Sequence, residues 1–570
     1  MSDLLNSASL VLIPSGYKED TVYSVVPSDG SGDLSFTRAS NGTRVNSAGL
    51  VEVCPWNLAD NSENLTLWGS FATGGTITRT ANYATAPNGT MTATRIQNSG
   101  GSVVQWTYQD INLINGGTIS MYVKRTGSTN QTFRLFGNNG AEVSSNFTAT
   151  SEWQRFEFTI LPSGSAKPHG ITTDSSANAA DILVWGGQIN IGSTAKPYFP
   201  TTDRLNVPRL TYQNGGGGCP SLLLEKQSTN YVLSSQNLTG YWNLSNTTAT
   251  ANSTTSPDGT QNASKLEDGT NNAQHRYFQA ILSSLTNETL SFSIYAKQGT
   301  HRYISWGITD DSNYRGQVVV DLQTGTITDQ FTANSTLSNL SVASQGNGWY
   351  RISGTISVSV NYAGGNAYAF GLMLDSSSWS TAGYTGTNTY CYLWGGQAEI
   401  SSYPTSYIPT TSASATRVAD ACFKTGISSL IGQTEGTMFV DVTEEAKNDG
   451  RYMFLSDASF TNRIVIYQAS GAINVYCSAG SSFNISYSPP AGRLKIAFVY
   501  KSNDYALWVN GVERTAVTTV SAVPTGLSAT GIGSNEGSIG TAEPLDAGVN
   551  QAALFKTRLT NAELASLTTL

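Results

Sequence analysis

Three tryptophans and a few turn carboxylates are the residues of this 570-residue chain best suited to chemistry. Holding a sugar takes an aromatic face that stacks on the ring, plus Asn, Gln, Asp or Arg to hydrogen-bond its hydroxyls. Trp106, Trp306 and Trp379 are the candidates for the aromatic part. Holding calcium takes hard oxygens gathered on a turn. Asp310-Asp311-Ser312-Asn313 and Ser502-Asn503-Asp504 supply them, which makes Asp310, Asp311 and Asp504 the candidate ligands. The same residue types are ordinary turn formers, and neither stretch has the spacing of an EF-hand loop.

Catalytic constellations are weaker. Glycoside cleavage needs two carboxylates about 5–10 Å apart. Glu444-Glu445 and Glu267-Asp268 are adjacent pairs, and neighbours on a strand point to opposite faces. His169, His275 and His301 are scattered, and no Gly-x-Ser-x-Gly elbow occurs. The run Gly215 to Gly218 lacks the Lys and Ser/Thr of a phosphate loop. Cys54, Cys219, Cys391, Cys422 and Cys477 are far apart and form no CxxC pair, which argues against zinc, and their odd number argues against a full disulfide framework. No catalytic residue is assigned, and the chain reads as a non-enzyme.

What must position the tryptophans is a duplicated domain. Val184-Trp185-Gly186-Gly187-Gln188-Ile189 followed by Tyr198-Phe199-Pro200-Thr201-Thr202 returns as Leu393-Trp394-Gly395-Gly396-Gln397-Ala398 followed by Tyr407-Ile408-Pro409-Thr410-Thr411. Pro87-Asn88-Gly89 returns as Pro257-Asp258-Gly259, and Glu152-Trp153-Gln154-Arg155 as Gly348-Trp349-Tyr350-Arg351. The repeat is domain-sized, far longer than a solenoid unit. Residues present in both copies read as packing: Trp153 with Trp349 and Trp185 with Trp394. Residues particular to one copy are the better specificity candidates. Aligned on the turns, Trp106 falls opposite Arg276 and Trp306 opposite Phe136, while Trp379 lies in an insertion, Ser376-Ser377-Ser378-Trp379-Ser380. A loop aromatic of this kind serves equally as a packed anchor or as a subunit contact in a homo-oligomer.

The elements are strands. Residues 118–124, 132–136, 153–161 and 182–189 alternate with a period near two, and in 153–161 Phe156, Phe158 and Ile160 share the apolar face. Strands alternate with turns roughly every 8 to 12 residues, and Asn41-Gly42 and Asn510-Gly511 are hairpin signatures. The end of the chain is the one convincing helix, with Thr560 and Glu563 in capping-box spacing. The predicted class is all-β: tandem jelly-roll sandwiches and a further C-terminal β-sandwich. The predicted organisation is an N-terminal connector at 1–55, one module at 56–205, a Gly-rich bridge at 206–236, a second module at 237–412 and the last sandwich at 413–570.

Charged residues are 12% of the chain against 10% aromatics, with a net charge of −8 and no basic cluster. Nucleic acid and anionic membrane are therefore poor partners. The apolar run Leu10-Val11-Leu12-Ile13 is too short for a membrane span and lacks a cationic start, so synthesis in a cytoplasm without classical export is expected.

Three stretches carry a resemblance. Thr37-Arg38-Ala39-Ser40 with Thr43 to Glu52 resembles a segment of bacteriophage tail and fibre proteins. The two modules look like the carbohydrate-binding-module-like jelly rolls of phage virion proteins. Leu507-Trp508-Val509-Asn510-Gly511 with Ala553 to Thr560 is similar to laminin-G/concanavalin-like sandwiches. The resemblance implies a virion protein made in a bacterial host, joined to other virion proteins through its N-terminal segment and presenting host-adhesion modules to surface glycans. It also implies calcium as the one cofactor to look for. A purely structural capsid or tail joint and a capsule depolymerase are the alternatives.

Overall fold

The computed structural model describes every residue except 1–2, 100–104, 114–115, 164, 174–178, 214–215, 312, 360, 445–448, 480–481 and 491. It is built almost wholly of antiparallel strands, in two compact units: Val53–Leu205, and Met1–Glu52 together with Asn206–Leu570. No described helix is long and apolar enough to cross a membrane.

The Val53–Leu205 unit is a jelly-roll sandwich. One five-stranded sheet runs Glu142–Ala149, Gln131–Asn138, Lys167–Thr173, Gln105–Ile111, Gly69–Ala72. The other runs Gln154–Ile160, Gly117–Arg125, Ala180–Ile191, Ala93–Asn98, Ile77–Ala84. Period-two alternation sends Phe133 and Leu135 of one sheet and Ile119, Met121, Val123, Val184 and Ile189 of the other into a shared core. Phe156 and Phe158 pack against it, and Ile160 belongs to it, as the alternation of 153–161 predicts.

The second copy is the same sandwich with six strands per sheet. The repeated Trp-Gly-Gly-Gln has a mechanical explanation. Pairing between Gly117–Arg125 and Ala180–Ile191 slips between Ser120 and Tyr122, and pairing between Thr289–Gln298 and Tyr390–Glu399 slips at the matching Ser293 and Tyr295. The first glycine of each signature sits at that irregularity with positive φ, 66° at Gly186 and 65° at Gly395. The second glycine is pressed by a tryptophan: a Cβ on Gly187 would come within 2.5 Å of the Trp68 ring. Gln188 and Gln397 then receive the backbone N–H of Phe199 (3.0 Å) and Ile408 (2.7 Å), tying the Tyr-x-Pro-Thr-Thr strap down. Trp394, Trp349 and Trp185 are buried packing residues, and Trp153 packs half-buried against the cluster that holds Trp185.

In the same unit, the C-terminal sandwich joins an eight-stranded and a nine-stranded sheet over one large core. The N-terminal segment, read from the sequence as a connector, is woven into it. Leu10–Leu12 pairs with Ala547–Phe555, and Leu34–Thr37 pairs with Ala421–Thr425. The bridge contributes too: Leu222-Leu223-Leu224 returns to the sheet beside Val549 to Ala547. The hairpin expected at Asn41-Gly42 does not form. Leu34–Thr37 and Gly42–Val45 lie in different sheets, and Gly42–Val45 pairs instead with Val51–Cys54. The turn of that hairpin is closed by the Asn46 carboxamide, which accepts the N–H groups of Ala48 and Leu50. Asn510-Gly511 does form its two-residue turn, with φ of 51° and 80°. Gly215 lies outside the described residues.

Helix Asn561–Thr568 is opened by the predicted capping box: Thr560 Oγ1 accepts the Glu563 N–H at 3.3 Å, and Glu563 Oε2 accepts the Thr560 N–H at 2.7 Å. Thr560→Ala is expected to cost about 1 kcal/mol. Thermal melts of the two chains, with hydrogen exchange at the Glu563 amide, check this.

A buried ionic cluster locks the segments of this unit in register. Asp420 accepts from Arg38 (2.9 Å) and Arg209 (2.5 Å), and Arg209 and Arg417 both reach Glu225, at 2.7 and 2.8 Å. Thr405 links Arg417 to the buried Glu399 carboxylate. Burial alone would raise the Glu225 carboxyl, but Arg417 and Arg209 hold it down to about 2.

Nearby Asp546 has the opposite balance. Burial pushes its carboxyl up to about 6, offset only in part by the Lys226 N–H it accepts. The native chain therefore holds a proton that the unfolded chain, with a carboxyl near 3.9, has released, and stability falls as pH rises from about 4 to 6. Asp546→Asn keeps the acceptor and the left-handed backbone (φ 66°). It is expected to add about 3 kcal/mol at pH 7 and almost nothing at pH 4. Urea midpoints at both pH values test it; an equal gain at both would refute it.

Candidate functional site

In a jelly roll only one face of each sheet is used by the core. The outward face of the sheet carrying Gln105–Ile111 is aromatic. Trp106 is half-buried on it and lies over Phe136 (centroids 4.9 Å apart, 27° between planes). Phe71, on the neighbouring strand directly opposite Trp106, is 5.4 Å away and 44% exposed. Tyr108 continues the row, edge-on to Trp106 at 6.3 Å. Its ring covers Gly69, where a Cβ would come within 2.8 Å. The rim is polar: Trp106 Nε1 donates to Glu142 Oε2 (3.0 Å), and Arg134 pairs with Glu142 at 2.7 Å. Flat apolar rings beside fixed donors and acceptors are the surface a pyranose requires.

The second jelly roll is aromatic on the equivalent face, with different residues. Phe278, Tyr314, Tyr368 and Phe370 line a cavity of about 280 Å³ together with Arg276, Asp311 and Asn313. Phe278 packs against Phe370 and Tyr368, with centroids 5.8 and 5.7 Å apart, and Tyr314 meets Phe370 edge-on at 5.3 Å. These four are not legible as a site in the sequence because no single one of them is unusual. The signal was their alternation: Phe278 stands two residues from Arg276, and Phe370 two residues from Tyr368.

Of the three tryptophans singled out, Trp106 alone lies on such a face without being a loop anchor. Trp306 is fully buried, stacked on Tyr277 at 5.7 Å and 5° within the core, so it is corrected to a packing residue. Its strand position points inward, whereas that of Phe136, opposite it in the sequence alignment, points outward under Trp106. Trp379 is half-buried; it stacks on Phe331 (5.4 Å) and meets Tyr314 edge-on (5.2 Å), and its N–H donates to Asp329. It anchors the inserted loop beside the cavity.

The carboxylates considered for calcium are each committed elsewhere. Asp310 pairs with Arg315 at 2.5 Å, Asp311 accepts from Tyr368 Oη and the Asn366 N–H, and Asp504 pairs with Arg558 at 3.0 Å. They are not gathered into a cage, and among the described residues no three His, Cys, Asp or Glu side chains cluster as metal ligands. Ser312 lies outside the described residues.

Histidines that looked scattered are partly brought together. His275 and His301 flank Tyr384, whose hydroxyl donates to Asp268 (2.9 Å). Their ring nitrogens are occupied by the carbonyls of Asn246, Tyr384 and Tyr303 and by Thr389 Oγ1, and burial lowers the His301 pKa. His169 is likewise held between the Asn138 N–H and the Ile111 carbonyl. Glu267 pairs with Lys265 while its neighbour Asp268 is buried, so that pair does not converge. Glu444 receives the Tyr452 hydroxyl, and Glu445 lies outside the described residues. The five cysteines are free thiols, all but Cys219 buried.

No protein-family model and no curated protein matches the chain. Solved structures do match parts of it. It is similar to the carbohydrate-binding module of a Ruminococcus gnavus sialidase, solved bound to α2,3-sialyllactose, at 12% identity over 24% of this chain and 84% of that one (TM-score 0.22). It is similar to domain 4 of a Geobacillus stearothermophilus arabinanase, in complex with arabinotriose, at 15% identity over 29% and 82% (TM-score 0.23). A tandem pair of such modules from a Paenibacillus barcinonensis protein, Xyn10C, matches at 13% identity over 60% of this chain and all of that one (TM-score 0.21).

Proposed function

We propose that the protein binds glycans without cleaving them, through the outward aromatic face of each jelly roll. The observation that carries this is the recurrence of the face. Both copies keep a half-buried aromatic surface at the same place in the sandwich while exchanging the residues that form it, Trp106 for Arg276 and Tyr108 for Phe278. Packing demands identity, as at Trp185 and Trp394; a recognition surface demands aromatic character and tolerates change. Two weak sites on one chain raise apparent affinity for a repeating polymer.

The setting that fits is a bacteriophage particle, with the modules serving adhesion to host-surface glycans. The resemblance of Thr37 to Glu52 to phage tail and fibre segments supports it. Since the strands that lead into that segment, Leu10–Leu12 and Leu34–Thr37, are woven into the C-terminal sandwich, particle attachment requires a surface of the folded unit rather than a free arm.

The experiment is titration of the purified chain with host-surface polysaccharides, following tryptophan fluorescence and reducing-end release together. Saturable binding with no new reducing ends is expected. Release of reducing ends would replace the proposal with a depolymerase. Absence of both would leave the faces to neighbouring virion proteins.

A further inference from the structure

Resting on that reading, we infer that the groove of the second jelly roll selects an acidic saccharide, whose carboxylate is held by Arg276. At the equivalent place the first jelly roll carries Trp106, so the two faces differ by one cation. Arg276 is half-buried at the edge of the cavity, two residues from Phe278 on the same strand face. Its Nη2 donates to Ser245 Oγ at 3.2 Å, its buried Nε has no partner, and among the described residues no carboxylate lies within ion-pair distance of it. The neighbouring arginines of this sheet are neutralised: Arg302 by Asp321 (2.7 Å) and Arg315 by Asp310 (2.5 Å). Arg276 is thus the cation of the cavity whose charge the protein leaves uncompensated.

The two acidic groups of the cavity do not cancel it. Asp310 is spent on Arg315. Asp311 is anchored by Tyr368 Oη and the Asn366 N–H at the other end. Arg276 stands opposite Leu372 on the neighbouring strand and Ala280 opposite Tyr368, so the two ends are four residues, about 13 Å, apart along it. Between them lie Phe278, Phe370 and Tyr314. The groove therefore has a basic end, an aromatic floor and an accepting end. A sugar carboxylate matches the first through the planar guanidinium fork, ring faces match the second, and hydroxyl donors match the third. A neutral glycan would leave the guanidinium without a charged acceptor.

The test uses the full chain carrying Trp106→Ala, so that the second jelly roll is read by itself. The probes are a galacturonate trimer with its carboxyl-reduced counterpart, and sialyllactose with lactose; the two acids distinguish a uronate from a sialate source. Calorimetry at neutral pH is expected to show one acid bound about 10- to 100-fold more tightly than its neutral partner. Arg276→Gln should lower acid binding to the level of the neutral partner, abolishing that preference, and Arg276→Lys should restore part of it. Equal binding of acid and neutral probes, unaffected by Arg276→Gln but lost in Phe278→Ala, would overturn the acidic selectivity while leaving glycan binding intact. Binding of no probe, with Phe278→Ala indistinguishable from its parent, would overturn both.

Discussion

Replacing Asp420 by Ala is expected to destabilise the Met1–Glu52 and Asn206–Leu570 unit by about 3–5 kcal/mol. The carboxylate is wholly buried and serves two arginines that are wholly buried as well. Without it, the Arg38 guanidinium still donates to the carbonyls of Ser40 and Val207 but has lost its charged acceptor, and Arg209 shares Glu225 with Arg417. A guanidinium stranded in the interior costs far more than the pair contributed, because its desolvation is no longer offset. Glu225 also loses the acceptor for its own N–H, Asp420 Oδ2 at 2.8 Å. Asp420→Asn keeps an oxygen but not the charge and is expected to recover less than half of the loss. Urea unfolding, with hydrogen exchange at the Glu225 amide, reads the effect where it acts. The Val53–Leu205 unit serves as internal reference, since none of these residues belongs to it. A loss under about 1 kcal/mol, the range of exposed ion pairs, would show that the cluster is not what holds the segments together. The pH dependence has a defined sign. The depressed Glu225 carboxyl adds stability above its unfolded pKa near 4.3, and that stability is lost as pH falls toward 2.

Such a cluster specifies register more than it stabilises. A hydrophobic replacement of similar volume would hold the pieces at least as tightly. What it would lack is discrimination. Arg38, the pair Arg209 and Glu225, and the pair Arg417 and Asp420 come from three stretches far apart in sequence, and their charges are satisfied only when all three meet.

The sheet class, the duplication and several strands were legible because each rests on a local rule. Alternation placed 153–161, the capping box placed the last helix, and Asn510-Gly511 placed its turn. The shared Trp-Gly-Gly-Gln was rightly read as structural, since a glycine at a slipped register and a glycine under a tryptophan are needs of the fold itself. What was not legible depends on pairing partners. Asn41-Gly42 has hairpin chemistry, but the strands beside it are claimed by different sheets, and tertiary pairing overrides the local signal. Trp306 could not be assigned to a face from a copy alignment that matched it to an outward Phe136. Its own neighbours, Tyr277 and Trp242, decide the matter by making an inward aromatic stack. The aromatic faces were half visible. Trp106 stood out by its rarity, whereas Phe278, Tyr314, Tyr368 and Phe370 come together only when four neighbouring strands lie side by side.

Loss of the aromatic faces is expected to remove glycan binding with the fold intact. Trp106→Ala should weaken binding about 10- to 100-fold at the first jelly roll, because truncating a central aromatic anchor removes about 2 kcal/mol or more, and each 1.4 kcal/mol is tenfold. Phe278→Ala should do the same at the second. Neither side chain belongs to its sandwich core; Trp106 covers Phe136, and Phe278 leans on Phe370 and Tyr368 from outside. Melting temperatures should therefore shift little, unlike that of Trp306→Ala, which would open a cavity in the centre of the second core and cost about 3–5 kcal/mol. The polymer itself supplies the sharper reading. On a repeating polysaccharide, two sites on one chain reinforce each other, so each single variant should lose part of the avidity and the double variant nearly all of it. On a monovalent oligosaccharide that reinforcement vanishes, and each variant should silence one site and leave the other at its own affinity. A double variant that still bound polysaccharide as the parent does would place recognition elsewhere, on the C-terminal sandwich. A parent that bound nothing while the same aromatics became protected on assembly would make the two faces joints between virion proteins, and the tolerance to exchange between the copies would then reflect two different neighbours.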